Sequence, residues 1–219
     1  MNQDLVSYYK DRAKEYDKVY LIPEEQQDLA EATRIFQELF FQKTVLEIAC
    51  GTGYWTEQLS KTARSVLATD INESVLEIAK RRNTSGKVLF EVADMYRLTT
   101  ETKYDALFGG FIWSHIPLQD LDNFLHKMTS VLKPNAVIAF IDSKQVMGGS
   151  HDSKSIKETD DQGNTYQARN LENGTTHLVL KNFPTQESLI QKLSKIATGI
   201  KYIDLEHYWI VSCKMKAQQ

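Results

Sequence analysis

The sequence predicts an α/β protein. Its core is a seven-stranded, doubly wound, mostly parallel sheet with an antiparallel last strand, an N-terminal helical cap and a small hairpin insertion. Three observations carry this. Short apolar runs at residues 44–49, 65–70, 87–92, 104–112 and 136–141 alternate with stretches of helical period. The first run passes through Gly51-Thr52-Gly53 directly into a helix start. The last two runs, 200–205 and 208–214, are separated only by the short Glu206-His207 link, which suits an antiparallel pair and no crossover.

Composition sets the outer bounds. At 219 residues and 42% hydrophobic, the chain suits one domain with a single core. It divides into a cap (1–43), a core (44–142), a polar insertion with a hairpin (143–183) and a last helix with its strand pair (184–219). A net charge of −3 supplies none of the clustered basic charge that a nucleic-acid backbone requires. Cys50 and Cys213 lie far apart without metal-like spacing, and no His/Asp/Glu cluster has ligand spacing, so no metal is expected. Cys50 reads as a small residue in a reducing compartment rather than a nucleophile. The opening MNQDLVSYYK has no basic-then-apolar pattern, and no run reaches membrane-span length. The expectation is a soluble cytoplasmic monomer or homodimer.

In chain order, Leu5, Tyr9, Ala13, Tyr16 and Tyr20 recur at helical steps and predict one helix over 5–20, with Arg12 within a turn of both Tyr9 and Tyr16. A second amphipathic helix is expected over 23–41. The run TVLEIA then places Glu47 inside an otherwise apolar strand. Gly51 and Gly53 allow a tight turn and close approach of a ligand to the backbone, and the unpaired N–H groups of the following helix, 54–61, face the same place. The third glycine of a dinucleotide fingerprint is replaced by Thr56, and the Gly-Lys-Ser/Thr of a phosphate loop is absent. Asp70 ends the second strand, where open α/β folds accept a ribose. Asn72 is expected to cap the helix over 73–82, leaving Asp70 free. Asp94 follows the third strand.

The fourth strand runs into Trp113-Ser114-His115-Ile116-Pro117, with a helix from Pro117 through Leu132. His115 stands at the carboxyl end of a central strand and is the candidate general base; its alternative is a loop hydrogen bond. Residues 143–164 form a polar excursion. Asn173-Gly174 marks a hairpin between 165–171 and 175–181, whose Arg169 and His177 are either substrate contacts or solvated residues. A last helix over 185–196 precedes the final strand pair.

Glu47, Gly51 and Gly53 match motif I of the class I S-adenosylmethionine-dependent methyltransferases, and the chain resembles the small-molecule members of that family from about Leu5 to Lys214. Tyr8, Tyr9, Arg12, Ala13, Tyr16 and Asp17 resemble the family's Tyr-Tyr…Arg-Ala…Tyr-Asp segment, which folds over the methionine end of the cofactor. The resemblance implies that the Asp94 carboxylate accepts the adenine amino group, with the backbone of Met95 at the ring nitrogen. It implies S-adenosylmethionine as cofactor, S-adenosylhomocysteine as product, and contacts at Tyr9, Arg12, Tyr16, Glu47, Ala49, Gly51, Gly53, Trp55, Asp70, Ile71, Asp94, Met95 and Phe111. The Asp/Asn-Pro-Pro-aromatic motif of base and glutamine methylation is absent at 113–117. The implied activity is methyl transfer to a small-molecule oxygen or nitrogen by in-line displacement. The alternatives are an NAD(P)-linked reductase, which would share Gly51 and Asp70, and a non-catalytic module that only holds an adenosyl ligand.

Overall fold

The computed structural model describes residues 3–145 and 156–217. Seven strands form one sheet: β1 (Thr44–Ile48), β2 (Ser65–Asp70), β3 (Val88–Val92), β4 (Tyr104–Gly110), β5 (Leu132–Ser143), β9 (Ala197–Asp204) and β10 (Tyr208–Met215). Their order is β3-β2-β1-β4-β5-β10-β9. β1 to β5 pair in parallel, and β10 runs antiparallel to both β5 and β9.

The side-chain period of two along each strand divides the core into two layers. Leu46, Ile48, Leu107, Ile138, Phe140, Trp209 and Val211 face one side. There they meet α5 (Leu121–Thr129) and α6 (Gln186–Leu193) through Phe124, Leu125, Met128, Leu189 and Leu193. Val45, Ala106, Phe108, Ala139 and Ile210 face the other, against α2 (Gln26–Leu39), α3 (Tyr54–Ser60) and α4 (Glu73–Arg82). Central strands buried on both faces explain the near-continuous apolar runs in the sequence.

Several boundaries differ from the sequence expectation, each for a local reason. The single helix expected over 5–20 breaks: α1 covers Gln3–Arg12, and a 3₁₀ turn covers Tyr16–Leu21. The aromatic stripe serves two surfaces, since Tyr9 meets His115 while Tyr20 stacks on Tyr54 at 3.7 Å. Residues 23–25 form a second 3₁₀ turn before α2. β4 stops at Gly110 because Phe111 turns the chain at φ 57°. No helix starts at Pro117, and α5 begins at Leu121. The Leu118 N–H is held instead by Asn164 Oδ1, and the Ile116 carbonyl by Asn182 Nδ2. β5 begins at Leu132, with an irregularity and a left-handed Asn135 (φ 62°) before the regular pairing from Val137. Asn72 does stand at the helix start, but its side chain donates to the Val6 carbonyl at 3.2 Å and makes no cap.

Part of the expected polar excursion, residues 146–155, lies outside the described residues. The remainder contributes β6 (Ile156–Thr159), which joins the hairpin strands β7 (Thr165–Asn170) and β8 (Thr176–Leu180) in a second, three-stranded antiparallel sheet. Cap and insertion meet. Leu5 and Tyr8 of α1 pack on Leu171 and Val179, forming a small core of their own above the carboxyl ends of the main strands.

Candidate functional site

A cleft opens where β1, β2 and β4 end, with about 790 Å³ of empty space including its mouth. Ala49, Gly51 and Thr52 form its floor, Asp70 and Ile71 one wall, and Ala93, Met95 and Ile112 another. The fold turns sharply there. Ala49 and Phe111, both non-glycine, hold positive φ at the ends of β1 and β4, a conformation that costs about 1–3 kcal/mol and concentrates at ligand sites. Gly51, at φ 55°, faces open space where a Cβ would stand. Gly53 answers a different need, since a Cβ on it would lie 2.7 Å from Asn83 Nδ2 and 2.9 Å from Ala79 Cβ. It lets α4 pack against the turn.

Asp70 is the principal charge in the cleft. Its Oδ2 accepts from the Gly51 N–H and its Oδ1 from the Asn72 N–H, both at 2.9 Å. Asp70 is therefore partly engaged by the loop, where the sequence suggested a free side chain. Burial pushes its pKa up, and the backbone N–H groups oppose that shift. These contacts do not exhaust a carboxylate's roughly four acceptor positions.

The cap closes the cleft from above with Leu5, Val6, Tyr9 and Tyr16. It is tied down by Asp17, which accepts from Arg82 at 2.6 Å and from the Thr52 hydroxyl at 2.5 Å. A second, larger cavity of about 1110 Å³ lies beside the first, lined among others by Tyr8, Arg12, Arg169, Lys181 and Tyr208. Tyr9, Tyr16, Phe111 and His115 belong to both and form the wall between them.

His115 is built into that wall. Its Nδ1 lies 2.5 Å from the Leu180 carbonyl, which can only accept, so Nδ1 carries the proton. Nε2 then accepts from the Tyr9 hydroxyl at 2.7 Å. Burial, helped by the Lys181 charge, lowers the His115 pKa to about 3, so the ring is neutral. Beneath it lies a buried ion pair. Lys181 Nζ donates to Asp142 Oδ1 at 2.7 Å and to Ser114 Oγ at 2.8 Å, and Asp142 also accepts from the Ser114 and Ser143 N–H groups. Asp142 is thereby engaged on both oxygens. Among the described residues no three His, Cys, Asp or Glu side chains are grouped to hold a metal ion.

Of the residues the sequence proposed, Tyr9, Tyr16, Ala49, Gly51, Asp70, Ile71, Met95, Phe111 and His115 line the first cleft. Arg12 lines the second cavity, lying over the rings of Tyr8 and Tyr16. Gly53, Trp55, Glu47 and Asp94 are not in the wall. Trp55 is buried behind it, with Gly110 packed close to the indole in place of a side chain. Asp94 is at the rim, between Ala93 and Met95 of the wall, and its Oδ1 accepts from the Tyr96 N–H at 2.9 Å. Glu47 is only 1% exposed and faces the α2–α3 layer, because alternation along β1 puts it on the side of Val45. Its Oε2 has no hydrogen-bond partner among the described residues.

Burial, with the Asp70 charge adding, pushes the Glu47 pKa up to about 8. The folded state thus keeps a proton that the unfolded chain loses near pH 4.5, and stability falls as pH rises from about 4.5 to 8. Glu47→Gln is expected to melt above wild type at pH 8. The gap should close as pH approaches 4.5; a gap independent of pH in thermal melts would refute the assignment.

Lys181, Thr52 and the Asp17 tie were not anticipated. Lys181 had one signal, a lone cation ending the apolar strand THLVLK. Arg169 reaches the second cavity, whereas His177 packs on Tyr8 at 5.4 Å and lies outside it. Burial pushes the Cys50 thiol well up, in keeping with a packing role.

Comparison with known proteins agrees with this geometry. Residues 45–135 match a family model described as a methyltransferase domain. The chain is 35% identical over 100 residues to a malonyl-[acyl-carrier protein] O-methyltransferase of Bacillus cereus, covering 44% of this chain and 36% of that one. It is 28% identical over 144 residues to a demethylmenaquinone methyltransferase of Staphylococcus aureus, covering 63% and 59%. The chain thus spans less than two thirds of the length of either relative. The fold of the DhpI–SAH complex is similar over nearly the whole chain, with a TM-score of 0.81, 24% identity, and coverage of 99% of this chain and 97% of that one.

Proposed function

We propose, from the premise that residues 45–135 form a methyltransferase domain on a class I, Rossmann-like sheet, that this chain transfers a methyl group from S-adenosylmethionine to a small-molecule acceptor. The observation that carries this reading is the pair of cavities divided by Tyr9, Tyr16, Phe111 and His115. One has the lining for a nucleoside; the other has room for an acceptor.

The first cleft fits the adenosyl group on two observations. The space in front of Gly51 is open, and Asp70 is buried with acceptor capacity left. Asp70 would hold the ribose hydroxyls, with Ala93, Met95, Ile71 and Ile112 as apolar walls for the base and Asp94 at the rim for its amino group. Tyr9, Tyr16 and Phe111 present aromatic rings, which attract a cation. When bound, S-adenosylmethionine supplies a methyl group already activated by its positively charged sulfur. Glu47, Gly53 and Trp55 support the loop from behind.

The protein's main contribution is alignment. Holding reactants in line supplies up to about 7–11 kcal/mol, whereas a general base adds about 10²–10⁴-fold, or roughly 3–5 kcal/mol. His115 is assigned to alignment as a positioning residue: its only lone pair is taken by Tyr9, and its lowered pKa makes it a weak proton acceptor. No helix among the described residues is long and apolar enough to cross a membrane. The two free, buried thiols suit the reducing cytoplasm.

A thermal-shift comparison tests this reading. S-adenosylhomocysteine at about a hundred times its dissociation constant should stabilise the protein by about 2.7 kcal/mol, with no response to NAD. The reverse pattern would assign the cleft to a reductase. Binding without methyl transfer to any pool of cell metabolites would leave only a binding module.

A further inference from the structure

The second cavity carries a charge excess that methyl transfer alone does not require. Among the described residues four cations line it: Arg12, Lys18, Arg169 and Lys181. Two are neutralised, Lys18 by Glu172 and Lys181 by Asp142. Arg12 and Arg169 have no carboxylate partner among the described residues. The Arg12 guanidinium lies over the rings of Tyr8 and Tyr16, at 5.7 and 5.3 Å from their centres. Arg169 Nη2 donates to the neutral Gln167 Oε1 at 2.6 Å. Both are half-buried, and both act electrostatically on Tyr9, in the wall shared with the first cleft. Among the described residues the one acid lining the cavity, Glu25, accepts from the Tyr208 hydroxyl.

Among the described residues in and beneath this cavity, the groups able to remove a proton are engaged. His115 Nε2 takes the Tyr9 hydroxyl, Asp142 takes Lys181, Ser114 and Ser143, and Glu25 takes Tyr208. A site whose described residues present two guanidinium groups without a carboxylate partner and no free base suits an acceptor that arrives already deprotonated. Resting on the methyl-transfer reading, we infer that the acceptor carries an oxyanion, a carboxylate or phosphoryl group, recognised by Arg12 and Arg169 and methylated on oxygen. Planar guanidinium forks match both anions. In the step, an oxygen lone pair forms the new C–O bond while the methyl–sulfur bond breaks and its electron pair stays on sulfur. The acceptor loses one negative charge, the sulfonium becomes a neutral thioether, and no proton moves.

The test titrates the protein, saturated with S-adenosylhomocysteine, with inorganic phosphate and separately with acetate. Sodium chloride at equal ionic strength is the control, and melting temperature and calorimetry are the readouts. The expected result is a saturable rise with at least one anion and none with chloride; the tighter anion identifies the phosphoryl or the carboxylate class. Arg169→Met should weaken that anion about tenfold or more, and Arg169→Lys should recover part of the loss. Calorimetry of S-adenosylhomocysteine with Arg169→Met should give wild-type affinity, which separates lost recognition from lost fold. Absence of any saturable anion effect on the loaded wild type, or an undiminished effect in Arg169→Met, overturns the inference and leaves the methyl-transfer reading standing. Failure of the wild type to bind S-adenosylhomocysteine overturns both.

Discussion

Lys181→Met is expected to destabilise the protein by about 3–5 kcal/mol, the cost of leaving one member of a buried ion pair without its partner. At about 2–4 °C per kcal/mol for a chain of this size, the melting temperature should fall by roughly 6–20 °C. Asp142 is fully buried and Lys181 only 6% exposed, so little water can reach the stranded carboxylate. Burial alone would raise the Asp142 pKa, but the Lys181 ammonium outweighs it and holds the carboxyl below its ordinary value. The pair's contribution is therefore complete above the unfolded value near 3.8 and lost as pH falls through the depressed folded one. In Lys181→Met, the stranded Asp142 takes up a proton more readily, so the deficit relative to wild type should shrink in acid. Lys181→Met combined with Asp142→Asn should recover much of the loss at neutral pH. A single variant that melts with wild type would show that the pair is not buried as described.

Asp70→Ala should act on binding more than on fold. A hydrogen bond from a ligand hydroxyl to a carboxylate is worth about 1.5–3 kcal/mol, so S-adenosylhomocysteine should bind roughly ten- to a hundredfold more weakly per bond lost. The Gly51 and Asn72 N–H groups also lose their acceptor, which loosens the glycine turn and adds to the loss. Asp70→Asn keeps one acceptor oxygen and should fall between the two. Calorimetry that finds wild-type affinity in Asp70→Ala would take this carboxylate out of the binding site.

How far each group could be read from the sequence follows from what determines its position. Gly51 and Asp70 are fixed by their own strand ends, and the period of two with the glycine turn places both in the cleft. The same period, applied to Glu47, would have turned it away from the cleft; the motif drew it in, and alternation along β1 put it behind. Asp94 shows the limit of a strand-end rule, since a carboxylate there can bond its own loop, as it does with the Tyr96 N–H. Arg169 and Lys181 were harder. They reach the second cavity only because the insertion folds into a separate sheet and packs under α1, through contacts between residues far apart in the chain. The break in the cap at Arg12 has the same origin. Helical spacing of the tyrosines is satisfied locally by a continuous helix, but Asp17 bonding to Arg82 and Thr52, and Tyr20 stacking on Tyr54, draw the second half down to the glycine turn.

That fastening sets the order of traffic through the molecule. A nucleoside in the first cleft would lie under Leu5, Val6, Tyr9 and Tyr16, and those residues belong to a segment clamped at one end to the turn and at the other to the small second core. Swinging that segment clear would break the Asp17 clamp and the Tyr9–His115 bond together. On the methyl-transfer reading, residence of the spent nucleoside is expected to follow that peeling motion, as in enzymes whose turnover waits on a moving cover.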